Sequence, residues 1–151
     1  MKLSEIITAD CIKIPLSARN KYEAIEELIE VLIETGRISE KDPLLKAVLD
    51  REETRSTGIG QGLAIPHGKC NGLSGLVGAV GIPERPIDFE SVDSQMVDFI
   101  FLLGSPNDQT GPHIQALARI SRLMATNSFR ERVANATQPE DVYKALLNHE
   151  S

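Results

Sequence analysis

The chain has 151 residues, 22 acidic and 16 basic, and a formal net charge of −6, a length that fits one domain. The acidic balance excludes a phosphate-backbone binder, which needs clustered Lys and Arg, and six aromatics without basic interleaving exclude a single-strand stacking platform. Two cysteines are no disulfide framework, the longest uncharged stretch (Cys70 to Pro83) is too short for a bilayer, and no basic-then-apolar leader opens the chain, so a cytoplasmic protein is expected.

In chain order, residues 1–16 read as a short helical start and a strand, Cys11-Ile12-Lys13-Ile14, stopped by Pro15. Ile25, Leu28, Ile29, Leu32 and Ile33 then repeat at helical spacing, and Gly36 ends that helix. Ser39-Glu40-Lys41-Asp42 reads as a capping box, with Pro43 in the first turn of a helix that runs to about Glu52. Residues 54–62 should form a structured loop, and Leu63-Ala64-Ile65 a short strand leading into Pro66-His67. Leu76–Ile82 and Val97–Leu103 are apolar runs of strand length, the second apolar enough to be central. Their short connection implies an antiparallel pair. A polar loop spans Gly104 to Gly111, and a helix follows from Pro112 with Ile114, Leu117, Ala118, Ser121 and Met124 along one side. A short helix around Phe129–Val133 and a last helix, opened by a capping box at Thr137-Gln138-Pro139-Glu140, complete the chain. This pattern predicts an α/β fold, a mixed sheet of about five strands with helices on both faces.

Eight of the eleven glycines fall between residues 58 and 81. They mark either tight turns or a loop that brings backbone N–H groups against a ligand. Gly58-Ile59-Gly60-Gln61-Gly62 is neither a P-loop nor a dinucleotide fingerprint, since no Gly-Lys-Ser/Thr follows and position 63 is Leu. Gly72-Leu73-Ser74-Gly75 lacks the spacing of a nucleophile elbow.

His67 follows the short strand at a place where α/β sites lie, and neutral imidazole is a competent nucleophile. A polar loop histidine without a role is the plainer alternative. His113 opens a helix, where free N–H groups suit an anion; a cap or a surface residue is the alternative. Arg51, at the end of the second helix, is either a guanidinium aimed at phosphate oxygens or a partner of Asp50, Glu52 and Glu53. His149 stands two residues from the C-terminus, is expected to fray and is given no role. His67 and Cys70 form an H-x-x-C pair that His113 could join as a metal site, but zinc takes three or four protein ligands and no clustered Cys or His completes the set. Cys70 has no recognisable partner as a nucleophile.

The unbroken run Ser56-Thr57-Gly58-Ile59-Gly60-Gln61-Gly62-Leu63-Ala64-Ile65-Pro66-His67-Gly68 resembles the signature of the fructose/mannitol-type IIA domains of the bacterial phosphoenolpyruvate-dependent sugar phosphotransferase system (PTS, EIIA type-2). Arg51-Glu52, Arg85-Pro86-Ile87-Asp88-Phe89, Val97 to Leu103, and Pro112-His113 with Ile114-Gln115-Ala116-Leu117-Ala118 extend the likeness over essentially the whole chain, 1–151. Asp108-Gln109-Thr110 before the second histidine resembles the nitrogen-regulatory branch.

The resemblance implies a phosphohistidine relay. A phosphocarrier, HPr or its nitrogen-branch (NPr-like) counterpart, presents a phosphoryl group, and His67 accepts it, by the family pattern at Nε2. His67 then passes it to a separate IIB domain or holds it as a signal to a regulatory target. Arg51 and His113 would neutralise charge on the transferring group, while Thr57, Gly58, Gly60, Gly62 and Gly68 would shape the phosphate site; Gly72, Gly75, Gly78 and Gly81 fall to turns and strand packing. Neither nucleotide nor metal cofactor is required. The implied output is nitrogen or metabolic regulation, the alternative being a freestanding IIA subunit of a fructose- or mannitol-type transporter.

Overall fold

A computed structural model describes residues 2–150. Strand β1 spans Ile12–Leu16, followed by helices α1 (Lys21–Glu34) and α2 (Asp42–Thr54). Strands β2 (Gly58–Gly60), β3 (Leu63–Ala64), β4 (His67–Cys70), β5 (Val77–Pro83) and β6 (Phe99–Pro106) come next. Helices α3 (Thr110–Met124), α4 (Asn127–Ala134) and α5 (Pro139–Glu150) close the chain.

The strands form one mixed sheet in the order β1-β5-β6-β3-β2, with β4 also paired to β6. β5 and β6 are antiparallel, as their short connection implied, while β1 runs parallel to β5, and β3 and β4 run parallel to β6. Every residue of β6 is buried, as a strand with neighbours on both sides and helices on both faces should be. Its alternation divides the core. Ile100 and Leu102 join the cluster built with α1 and α2 (Ile25, Leu28, Leu44, Val48). Phe99, Phe101 and Leu103 join the cluster built with α3, α4 and α5 (Ala116, Ile120, Phe129, Leu146). Six strands in five positions across, with helices on both faces, match the architecture expected. No helix among the described residues is long and apolar enough to cross a membrane.

Gly36 ends α1 as expected. It takes φ +74°, its N–H donates to Ile33 O at 3.1 Å, and the Arg37 N–H donates to Leu32 O at 2.9 Å.

Several local expectations are corrected. β1 continues through Pro15 to Leu16 because it is an edge strand, where a missing N–H is tolerated. The box at Ser39–Asp42 does not form: α2 begins at Asp42, Lys41 is its N-cap without a side-chain bond, and Pro43 occupies the first turn. The last box is shifted by one residue. Asp141, not Glu140, accepts from the N–H groups of Thr137 and Gln138, at 3.0 and 3.1 Å. Gly104 and Ser105 belong to buried β6 rather than to a loop, and α3 starts at Thr110. The buried face of α3 is His113, Ala116, Ile120 and Met124, while Ile114 is exposed. A histidine occupies the first core position there, so the apolar pattern alone put the face one residue out of phase. His149 is not frayed: its Nδ1 bonds Ala145 O at 2.9 Å and its ring packs edge-on against Phe129.

Candidate functional site

Leu63, Ala64, His67 and Gly68 pair with Phe99, Ile100, Leu103 and Gly104 in one unbroken register, so β3 and β4 are two halves of a single strand laid along β6. Pro66 sits at the break. It has no N–H for the ladder, yet its carbonyl accepts from the Leu103 N–H at 2.9 Å. His67 therefore lies within a strand rather than at the end of one; the proline interrupts the strand without ending it.

Strand alternation turns His67 to the face that Leu103 shares with α3. There its ring meets that of His113 at 5.5 Å between centroids, inclined at 55°. The Nδ1 of His67 lies 2.8 Å from Ile65 O. A carbonyl only accepts, so Nδ1 carries the proton and Nε2 keeps its lone pair. His113 is buried, and its Nδ1 shares a 2.6 Å hydrogen bond with the hydroxyl of fully buried Ser105. Lys69 Nζ reaches Thr110 Oγ1 at 3.2 Å, tying β4 to the first residue of α3.

Both imidazoles are held neutral. Burial lowers the pKa of His67, and the Arg51 charge lowers it further, against the opposing pull of the Ile65 carbonyl and the Glu52 carboxylate. Burial brings His113 down to about 4, with help from the charge that His67 carries when protonated and from the Lys69 charge.

A cleft of about 330 Å³ opens beside His67, lined by Arg51, Arg55, Ser56, Thr57, Gly58, Ile59, Ile65, Val92, Leu117 and Ser121. Arg51 does not pair with the neighbouring acids. Its Nη1 donates to Arg55 O at 2.8 Å, which fixes the guanidinium across the end of α2. Thr57 is anchored from below: Glu52 accepts from its hydroxyl at 2.6 Å and from its N–H at 3.1 Å. Glu52 is buried, and so is its counter-charge Lys21, whose Nζ lies 3.7 Å from Glu52 and 3.1 Å from Glu90.

The cleft brings His67, Arg51, Thr57 and Gly58 together, with His113 behind them. It does not include Gly60, Gly62 or Gly68. Gly60 and Gly62 take φ +98° and +83° around the β2–β3 turn and press against Asp93 and Asp98. A Cβ on Gly68 would stand 2.9 Å from the α2 backbone at Ala47 and Val48. Positive φ accounts for Gly60 and Gly62, and strand-on-helix packing for Gly68. The set His67, Cys70, His113 does not converge either. His67 and Cys70 stand three positions apart on β4 and so point to opposite faces, and Cys70 belongs to the core on the α2 side, where burial raises its thiol pKa.

The sequence pattern does not mark Glu52, Lys21 and Ser105 as site residues. The motif pair Arg51-Glu52 is the one signal for Glu52. Nothing local marks Lys21 or Ser105, whose partners stand far away or on another element.

A family model for the phosphoenolpyruvate-dependent sugar phosphotransferase system, EIIA 2, matches residues 5–149. A nitrogen regulatory protein of Bradyrhizobium diazoefficiens is 33% identical over 146 residues, covering 97% of this chain and 95% of that protein. The fructose-specific EIIABC component of the PTS of Bacillus subtilis is 29% identical over 150 residues, 99% of this chain, and the chain spans only 24% of that relative's length. Among solved structures, nitrogen regulatory protein IIA-Ntr from Neisseria meningitidis superposes with a TM-score of 0.85 at 28% identity, over 95% of this chain and 98% of that one.

Proposed function

Because this chain belongs to the EIIA 2 family of the phosphoenolpyruvate-dependent sugar phosphotransferase system, whose members are phosphoryl relay components, we propose that His67 is its phosphoacceptor. The observation that carries the reading is the Nδ1 hydrogen bond to Ile65 O, which reserves the Nε2 lone pair for attack. Nε2 attacks the phosphorus of a phosphohistidine carrier. The new N–P bond forms as the carrier's N–P bond breaks, and the departing imidazole keeps the electron pair. The His67 ring becomes a phosphoimidazolium whose proton stays on Nδ1, donated to Ile65 O. Arg51 and His113 take the roles of charge stabiliser and polar neighbour to the transferring group, since phosphoryl transfer rests on positioning and electrostatics. Thr57 and Gly58 form the cleft wall.

The carrier is of the HPr or NPr type, and the reaction takes place in the cytoplasm. The acceptor of the phosphoryl group, or the protein that senses it, is a IIB domain or a regulatory target. The regulatory branch is favoured by the similarity to the Bradyrhizobium nitrogen regulatory protein and by Asp108-Gln109-Thr110 ahead of His113.

Incubation with phosphoenolpyruvate, Enzyme I and a carrier tests the relay. One acid-labile, base-stable phosphoryl group per chain is expected. Rapid discharge of the phosphorylated protein to one sugar-specific IIB domain would overturn the regulatory assignment and leave the relay standing.

A further inference from the structure

The inner wall of the cleft is two-ply. The segment from Ser56 to Gln61 lies against the connection from Phe89 to Asp93. Ser56 Oγ bonds Phe89 O, and the backbone of Gly58 leaves no room for a Cβ against Ser91. The Gln61 N–H donates to Asp93 Oδ2 at 2.9 Å. Each ply carries one exposed apolar side chain at the cleft, Ile59 at 47% and Val92 at 70% exposure.

The outer end of this wall is the β2–β3 turn, and Gln61 at its tip stands at φ +57°, a conformation that a non-glycine residue adopts at a cost. Something must hold it. Arg130 reaches over from α4, its Nη1 donating to Gln61 Oε1 at 2.8 Å and its Nη2 to Gln61 O. It thus grips side chain and main chain of one residue with a planar fork. Arg130 makes no ion pair among the described residues, although the Asp98 carboxylate lies within its electrostatic reach. Its two terminal nitrogens are both committed to the turn.

We propose that Arg130 is a positioning residue for phosphoryl transfer, clamping the β2–β3 turn so that Ile59 and Val92 form a fixed lip beside His67 on which the phosphorylated carrier seats. The proposal rests on the relay reading above. It requires no contact between Arg130 and the phosphoryl group. Loss of the clamp frees the lip and weakens docking, while the His67 chemistry is left as it was.

Two readouts test it. In the free protein, hydrogen exchange of the amides at 58–61 is compared between wild type, Arg130→Ala and Arg130→Lys. Exchange about tenfold faster in the turn, with α1 and β5 unchanged, is expected for both variants, because lysine restores charge but not the fork. In the relay, both should raise KM for the phosphorylated HPr-type carrier about five- to tenfold, with kcat within about twofold and the pH profile unmoved. Unchanged exchange in the turn overturns the clamp, and so does a fall in kcat at constant KM. Because exchange is read without a carrier, it tests the clamp separately: failure of wild type to take label sinks the relay reading, and with it the role in transfer, while unchanged exchange sinks the clamp alone. Gln61→Asn, which suits a left-handed backbone but shortens the acceptor, leaves α4 untouched and should shift both readouts in the same direction; its failure to do so also overturns the proposal.

Discussion

His67 and His113 stand with ring centroids 5.5 Å apart, and each is held through Nδ1, one by the Ile65 carbonyl and the other by the Ser105 hydroxyl. Nε2 of neither ring has a hydrogen-bond partner among the described residues. Two strands and a helix thus orient a pair of neutral imidazoles while leaving one nitrogen of each uncommitted. That arrangement suits a nucleophile and its polar neighbour better than a core packing pair, which would have both nitrogens satisfied.

His113 should therefore tune the transfer without receiving the phosphoryl group. For His113→Ala, stopped-flow transfer from the phosphorylated carrier is expected to slow by about tenfold while full labelling is still reached. Ser105→Ala, which releases Nδ1 of His113, should slow it in the same direction but less.

Arg51 is held across the end of α2 by the Arg55 carbonyl, so its position does not depend on a bound ligand. For Arg51→Ala, kcat is expected to fall by about a hundredfold, the scale seen when one preorganised donor to a developing charge is removed. Arg51→Lys should recover little of it, since an ammonium cannot both cap the carbonyl and offer a second donor in plane.

The pKa shifts set a pH window. His67 titrates below the ordinary histidine value, chiefly through burial, so its neutral, nucleophilic form persists at pH 6.5 and transfer should decline only at lower pH. His113 carries the stability signature. Its folded pKa is about 4 against an unfolded value near 6.5, so between those values the unfolded chain binds more protons. Stability is complete above about pH 6.5 and falls as pH drops toward 4. Thermal melts across that range should show the loss, and His113→Gln should flatten it.

Beneath the cleft, Glu52 is the shared partner of Thr57 and Lys21. Glu52→Gln leaves a buried ammonium facing an amide, and urea unfolding should register a loss of about 3 kcal/mol. Glu90, mostly exposed, holds the same lysine from the solvent side, and Glu90→Gln should cost under about 1 kcal/mol.

Much of this was legible in the sequence. The run from Ser56 to Gly68 and the Pro112-His113 pair identified the family, and Thr57, Gly58 and His67 of that run line one cleft. A continuous apolar run identified β6 as central, because a strand covered on both faces needs apolar side chains at nearly every position. Polar residues placed inside the core were harder to read. Ser105 and His113 satisfy each other across 2.6 Å, so both escape the rule that apolar residues face inward, and the face of α3 was misjudged by one position. The glycines at 60, 62 and 68 are ambiguous in sequence for a related reason. A residue chosen for positive φ or for close approach to a helix looks the same in sequence as one chosen to admit a ligand, and only the facing atoms (Asp93, Asp98, Ala47) distinguish them. Arg130 carried no local signal, since Gln61 stands 69 residues away.

The most direct measurement of the central claim is phosphopeptide mapping under alkaline conditions after transfer from phosphoenolpyruvate through Enzyme I and the carrier, run on wild type and on His67→Ala. The wild-type phosphoryl group should map to Nε2 of His67, and the variant should take up none. Full labelling of the His67→Ala protein, or a wild-type label on His113 or His149, would contradict the assignment.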